Sequence, residues 1–310
     1  MEKGTSVCIP TCNRPSYFEE ALCSVVGQEQ SPKEIIVGDD SDDAATEAVI
    51  EDYRAQHVPI RYKRHVPPLG QSKNVHSLLQ RATGEYVMVL HDDDRLVEGA
   101  LERLIACFQD NAKIDAAFGK QQVIDAEGGV RKDRTRVLNQ AFDRTPEHEG
   151  RQGSSLRSGI TQQFPNDGYL VRTELAQRVG YDHPGTGDAC DFAFGVELAK
   201  AASGAFYYVD RFTSQYRLSE QSIGRGHGTP DAAYRSFKYV QESLPPDLRE
   251  RPKIQEWMEN RAPISILQAA FEGDASTGLK WFFSRYHRDR ILTAGGLRRL
   301  YHLLYSLFAS

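Results

Sequence analysis

The sequence predicts an α/β fold: a mostly parallel sheet flanked by helices, with a mainly helical C-terminal extension. Short apolar runs alternate with helical patterns over the first 120 residues, and the alternation fades after that point. From about Ala232 the pattern turns mainly helical and ends in the apolar-rich stretch 297–308. Strand–helix alternation implies right-handed crossovers and a sheet covered on both faces. The 310 residues, 40% hydrophobic and 26% charged, suffice for a sizeable core and two units. The expected division is 1–225 for the sheet domain and 226–310 for the helical region, which serves as a lid, for packing or as a dimer contact.

Each element has its own signal. Residues 6–9 form an apolar run closed by Pro10, which reads as a buried strand. Ser16 opens a helix, with Glu19 three residues on completing a capping-box pattern. Phe18, Leu22, Val25 and Val26 fall on one helical face, and Gly27 suits a left-handed stop. Residues 34–37 read as a strand, 44–54 as a helix, 60–65 as a third strand and 71–81 as a helix. Residues 86–90 are the most apolar strand, followed by a helix at 98–111 and a strand near 115–118. A hairpin is expected at 123–130 around Glu127-Gly128-Gly129. Residues 131–165 are polar, Arg-rich and weakly patterned, so a mobile or substrate-shaped loop is expected there. A strand at 169–171, helices at 174–179 and 192–202 and a strand at 206–209 follow. Three glycines in 224–228 mark a flexible segment.

The 38 basic and 43 acidic residues leave a net charge of −5, with no global attraction for nucleic acid. The five cysteines contain no Cys-x-x-Cys pair, which argues against a disulfide framework or structural zinc. That pattern suits a reducing compartment. Residues 1–6 are polar, so no secretory signal is read and the cytoplasm is the expected location. The acidic residues come in tight runs, Asp39-Asp40-Ser41-Asp42-Asp43 and Asp92-Asp93-Asp94. Both follow predicted strands directly. Ligands of open parallel sheets bind beyond the carboxyl ends of the strands, so both runs fall on one rim. Three adjacent carboxylates with no cation before Arg95 repel one another. A hard divalent cation, Mn2+ or Mg2+, relieves that repulsion through oxygen ligands.

Three segments carry a resemblance in order and spacing: Val7-Cys8-Ile9-Pro10-Thr11-Cys12-Asn13-Arg14, Glu34-Ile35-Ile36-Val37-Gly38-Asp39-Asp40-Ser41, and Gly84 through Asp94. Together they resemble family 2 glycosyltransferases, strongly over 5–120 and more thinly over 165–220. The resemblance implies a GT-A fold and transfer of a sugar from a nucleoside-diphosphate donor. It implies that Pro10, Thr11 and Cys12, with Asn13 and Arg14, line the nucleoside. Asp40 matches the acid that reads the base, with Asp39 beside it. Asp92 and Asp93 fall on the donor side, Asp93 toward ribose or metal, and Asp94 matches the main metal ligand. Asn74 matches an Asn ahead of the acidic strand, and Lys73 stands where the family often carries Arg, a diphosphate partner. Two departures stand out: Cys12 replaces a frequent Tyr that stacks on the base, and His91 replaces a frequent Asp. Uridine, thymidine and guanosine donors all stay open.

Inverting transfer needs a base to take the acceptor's proton, work suited to a carboxylate. The resemblance implies a Glu-Asp pair opening a helix, followed by Leu-Ala and Gly. Here Cys190-Asp191, Leu198-Ala199 and Gly204 fill that register, so Asp191 is expected as the base, with Asp188 its rival as base or cap. Lys73, Arg217 and Arg225 are candidate cations for the departing diphosphate, with His227 in the same glycine-rich segment as Arg225. The acceptor is open: a glycan, a lipid-linked sugar or a small molecule. Leu297, Leu300, Leu304 and Phe308 form a helical stripe, expected to pack on the domain or a second copy (a homodimer) ahead of a peripheral membrane contact. Competing readings are a sugar-phosphate nucleotidyltransferase, disfavoured because residues 10–15 hold no glycine, and a catalytically inactive sugar-nucleotide-binding protein.

Overall fold

A computed structural model describes residues 2–110, 113–218 and 230–309. The chain divides into two compact units, Met1–His183 with Phe194–Glu220, and Pro184–Ala193 with Gln221–Ser310. In the first unit the elements run β1 (Glu2–Thr11), α1 (Pro15–Val26), β2 (Glu34–Asp39), α2 (Ala45–Arg54), β3 (Ile60–Arg64), α3 (Gln71–Arg81), β4 (Gly84–Val89), β5 (Arg95–Leu96) and α4 (Ala100–Asp110). They continue with β6 (Ile114–Ile124), α5 (Lys132–Ala141), β7 (Gly150–Arg151), α6 (Ser155–Ile160), β8 (Tyr169–Arg172) and α7 (Thr173–Val179). Helix α8 (Cys190–Ala201) leads into β9 (Ala205–Arg217).

These strands make one sheet in the order β3-β2-β1-β4-β8-β6-β9-β5, with β7 on β9. The β3-β2-β1-β4 half is parallel, as the alternation predicts. Strand β8 enters antiparallel between β4 and β6. Val7, Ile9, Ile35, Val37 and Met88 of the central strands are buried against Phe18 and Leu22 of α1 and Leu104 and Phe108 of α4. Cys8, Ile36, Val87 and Val89, which point to the other face, are buried as well, and that two-sided burial is what short, uninterrupted apolar runs encode.

Three local expectations are corrected. The capping box at Ser16 does not form: Pro15 takes the first helical position, which suits its missing N–H, and Arg14 precedes it without a side-chain cap. Residues 131–165 are not a bare loop but hold α5, β7 and α6. Helix α5 lacks an apolar period because it docks through polar groups. Thr135 Oγ1 accepts from Val123 N–H at 2.9 Å, and Asn139 Nδ2 donates to the Gln121 carbonyl at 2.8 Å. Strand β9 extends far beyond 206–209, since its second half buries Thr213, Ser214 and Arg217 in polar surroundings.

Two contacts in the parallel half make testable demands. Asn74 Nδ2 donates to the Gly38 carbonyl at 2.9 Å, and a Cβ on Gly38 would lie 2.0 Å from Asn74 Oδ1. Gly38→Ala is therefore expected to destabilise the chain by about 1–3 kcal/mol in urea titrations. Gly153→Ala, where nothing lies within 4 Å, is the matched control and should stay within about 0.5 kcal/mol.

Glu34 is buried and accepts from Ser6 Oγ and Thr83 N–H, each at 2.7 Å, and from Arg61 Nη1 at 2.6 Å. Burial alone raises such a carboxyl. The hydrogen bonds from Ser6, Arg61 and Thr83 outweigh burial and hold Glu34 down at about 2. A depressed carboxyl stabilises the fold above its unfolded pKa and loses that contribution as pH falls toward its folded value. Between about pH 6 and pH 3 the chain should lose about 2 kcal/mol through Glu34. Urea midpoints of Glu34→Gln should lack this share of the acid decline.

The second unit holds α9 (Pro230–Ser243), α10 (Pro246–Arg249), α11 (Pro252–Phe271), α12 (Ala275–Phe282) and α13 (Ala294–Ala309). Phe237 meets Trp281 edge-on at 4.8 Å, and Met258, Ile266 and Phe282 are fully buried. On α13 the buried contact is Leu303. Leu297, Leu304 and Phe308 of the stripe expected to pack stay exposed. No helix among the described residues is long and apolar enough to cross a membrane.

Candidate functional site

Three parallel strands end side by side, and their exits carry the predicted residues. Thr11 is in register with Asp39, Asp40 N–H donates to the Thr11 carbonyl, and Leu90 N–H donates to that of Cys8. Pro10 and Thr11 close β1, Asp39 ends β2 with Asp40 directly after it, and Asp92, Asp93 and Asp94 follow β4. The sequence thus assembles this rim through strand order alone.

The exits are laced together. Thr11 Oγ1 donates to Asp92 Oδ2 at 2.9 Å, and Cys12 N–H reaches the same oxygen at 3.3 Å. Arg14 Nη1 lies 3.0 Å from Asp93 Oδ2 and 3.5 Å from Asp92 Oδ1. Asn13 adopts φ 56°, a left-handed conformation that Asn tolerates, and exchanges side-chain hydrogen bonds with Asp42. Cys12 is exposed, and its Sγ donates to the Asp40 carbonyl at 3.5 Å.

Asp39 and Asp40 are both buried and engaged within the chain. Asp39 accepts from Ser41 N–H and Tyr62 Oη, each at 2.9 Å. Asp40 meets His65 Nδ1 at 2.9 Å and accepts from Leu69 and Gly70 N–H at 3.1 and 2.8 Å. It therefore clasps the loop that leads into α3. Asn74 lies buried beneath the rim on Gly38, while Lys73 beside it is exposed.

The acidic run divides by burial. Burial first, then the charge of Asp93, pushes the Asp92 carboxyl up to about 6 against Arg14, Thr11 and Cys12. Asp94 is 1% exposed and accepts from Arg217 N–H at 2.7 Å. Burial, then the neighbouring Asp167 carboxyl, drives its carboxyl well above the usual range. Gln121 Nε2 donates to Asp167 Oδ1 at 3.0 Å. Asp167 escaped the sequence reading because it follows no predicted strand. Its one local signal is Gly168, at φ 66° just before β8.

Arg217, expected as a cation for the diphosphate, is instead enclosed: its side chain is 0% exposed. Its Nε donates to the Asp93 carbonyl and its Nη1 to the Ala126 carbonyl, each at 2.7 Å. Nη2 pairs with Glu20, and the guanidinium lies 4.6 Å from the Tyr17 ring. It braces the acidic run from behind.

No three His, Cys, Asp or Glu side chains converge as a metal cage among the described residues. Asp94 is buried and already accepts from Arg217 N–H, so it is less open to a cation than Asp93. Asp93 is the carboxylate of the run nearest the surface, with Asp92 beside it; Arg14 lies against both, so a cation there would have to share or displace that arginine. Mg2+ commonly rests on one or two carboxylates plus substrate phosphates, which two such groups can supply.

In the second unit, Asp191 lies in the first turn of α8. The preceding turn is held by Ala189 N–H to the Thr186 carbonyl, with Gly187 at φ 47° against the Arg235 side chain. Phe192 stacks on Trp257 at 5.5 Å, fixing the helix start. Cys190 is buried, which pushes its thiol up, and its Sγ donates to Asp191 Oδ1 at 3.7 Å. Asp188 is exposed. The glycine-rich segment with Arg225 and His227 lies outside the described residues.

The family model described as glycosyl transferase family 2 matches residues 6–167, more than half of the chain and all of this rim. The chain belongs to glycosyl transferase family 2. Among relatives of this family 2 chain is a GalNAc(5)-diNAcBac-PP-undecaprenol beta-1,3-glucosyltransferase of Campylobacter jejuni, 33% identical over 129 residues. The match covers 41% of each chain. Abequosyltransferase RfbV of Salmonella typhimurium is 34% identical over 112 residues, 35% of this chain and 34% of that one. The matches thus span about two fifths or less of these curated relatives' length.

Among solved structures, Staphylococcus aureus TarS 1-349 with UDP-GlcNAc gives a TM-score of 0.60 at 18% identity, covering 98% of the family 2 chain and 81% of TarS 1-349. The mannosyltransferase PcManGT of Pyrobaculum calidifontis, with GDP-Man and Mn2+, gives 0.55 at 14% identity, covering 100% and 89%. These likenesses establish the GT-A fold.

Proposed function

We propose that this chain is an inverting glycosyltransferase moving a sugar from a nucleoside-diphosphate donor to an acceptor hydroxyl. The observation that supports it best is the rim at the exits of β1, β2 and β4, which places Thr11, Arg14, Asp92 and Asp93 together. The nucleoside lies along Pro10–Arg14 and the Asp39–Asp40 turn in this reading, with Lys73 toward the phosphates. UDP and GDP sugars are the donors to test first, being those of the TarS and PcManGT structures.

A divalent cation, Mn2+ or Mg2+, would be held by Asp93 with Asp92, and Asp94 behind them. When bound it would stabilise charge on the departing diphosphate. Asp191 accepts the acceptor's proton as the hydroxyl attacks. All five thiols are free, which suits a reducing compartment such as the cytoplasm.

Thermal melts test the donor half. UDP or GDP with Mn2+ should raise Tm by several degrees more than either component alone. Asp93→Asn should remove the joint gain while leaving the unliganded melt close to wild type. The absence of a joint shift with every common nucleoside diphosphate would sink the reading. Donor binding without hydrolysis or transfer would leave a sugar-nucleotide-binding protein.

A further inference from the structure

The outer face of α13 carries an apolar stripe that is exposed among the described residues. Leu297, Tyr301, Leu304, Tyr305 and Phe308 recur at three- and four-residue spacing and so share one side of the helix. Leu297 is 58% exposed, Tyr301 64%, Tyr305 63% and Phe308 87%. The helix does not need this face for its own packing. Leu303 on another side is fully buried and lies where a Cβ on Gly278 would come within 2.3 Å of it. Arg299 Nε donates to His287 Nε2 at 3.0 Å, a second tie to the unit.

Charge sets the identity of the partner. Residues 275–308 hold six cations (Lys280, Arg285, Arg288, Arg290, Arg298 and Arg299) and one acid, Asp289, a net of +5 in a chain of −5. Lys280, Arg288 and Arg298 are exposed; Arg285 is exposed too but pairs with Glu250 at 2.6 Å. The Arg290 and Ile291 carbonyls lie against Gly296, so the Arg288–Arg290 turn sits beside the first turn of α13. Exposed tyrosines, leucines and a phenylalanine bordered by basic residues match the boundary between acyl chains and anionic headgroups. A second copy fits less well, because a two-fold pairing would set one basic surface against another. The helix has 16 residues, short of the roughly 20 needed to span a bilayer, so it would lie in the interface plane.

We propose that the outer face of α13 docks this chain on an anionic phospholipid surface. The inference is independent of the transfer reaction, because it rests on the second unit alone. It is tested by floating the full chain with vesicles of phosphatidylcholine, and of phosphatidylcholine mixed with phosphatidylglycerol. Wild type should float with the mixed vesicles only, and added salt should reduce the bound fraction. The triple variant Leu297→Ser, Tyr301→Ser, Phe308→Ser should cut that fraction by about tenfold or more with little change in Tm. The pair Arg288→Glu and Arg298→Glu, which leaves the apolar stripe intact, should lower it too.

Failure of wild type to float with mixed vesicles overturns the proposal, as does flotation that both sets of substitutions leave unchanged. A dimer in light scattering that the serine variant splits, without vesicle binding, overturns it in favour of self-association.

Discussion

Asp191→Asn is expected to lower sugar transfer by about 10²–10⁴-fold in kcat, with nucleotide affinity close to wild type. The range is that of a positioned general base, whose loss leaves donor binding and phosphate stabilisation in place. The substitution keeps shape and removes only the ability to accept a proton. The start of α8 should hold, because Phe192 on Trp257 and the Thr186–Ala189 turn fix it without the carboxylate. Asp188→Asn is the discriminating control. Asp188 is exposed in the short turn before the helix, and its amide variant should keep near-full activity. Loss of turnover in Asp188→Asn with turnover intact in Asp191→Asn would reassign the base to Asp188. Both assays use donor hydrolysis as well as transfer, so they do not wait on the acceptor.

How much of this site the sequence disclosed depends on what each residue does. Strand exits were legible, because a buried parallel strand writes itself as an uninterrupted apolar run and the residues after it must face the rim. Asp39, Asp40, Asp92 and Asp93 were placed on the rim that way, Thr11 came from the family resemblance, and α3 matches its expected span of 71–81. The partition within the acidic run was not legible. Asp93 and Asp94 are chemically identical in the sequence. Their difference arises from Arg217, 123 positions away, and from Asp167, which bury one and leave the other nearer the surface. The buried polar network of α5 was hidden for the same reason. Thr135, Asn139 and Arg144 read as loop residues until their partners on β6 and in Gln163 are in place. Periodicity reports apolar faces; it carries no signal for a helix docked by hydrogen bonds. The outer stripe of α13 shows the converse, an apolar period that stays exposed among the described residues.

Arg217→Met should cost about 3–5 kcal/mol of stability, the range for breaking a buried charged network. The guanidinium satisfies the carbonyls of Asp93 and Ala126 at 2.7 Å and that of Asp125 at 3.3 Å, besides pairing with Glu20. Methionine fills much of the volume but donates nothing, so buried carbonyls lose their partners. Arg217→Lys should recover little, because one ammonium cannot reproduce a planar fork spread over three carbonyls and a carboxylate. The site should feel the loss as well. The same residue holds Asp93 through its side chain and Asp94 through its backbone N–H, so the acidic run loses half of its rear support. Nucleotide affinity should then fall by about tenfold at temperatures where the variant is still folded. Urea midpoints and nucleotide titrations on the same preparation separate the two effects. A variant that melts within about 1 kcal/mol of wild type would mean that Glu20 and the carbonyls find water in place of Arg217. Affinity unchanged despite a large stability loss would mean that Arg14, Thr11 and Cys12 alone set the geometry of Asp92 and Asp93.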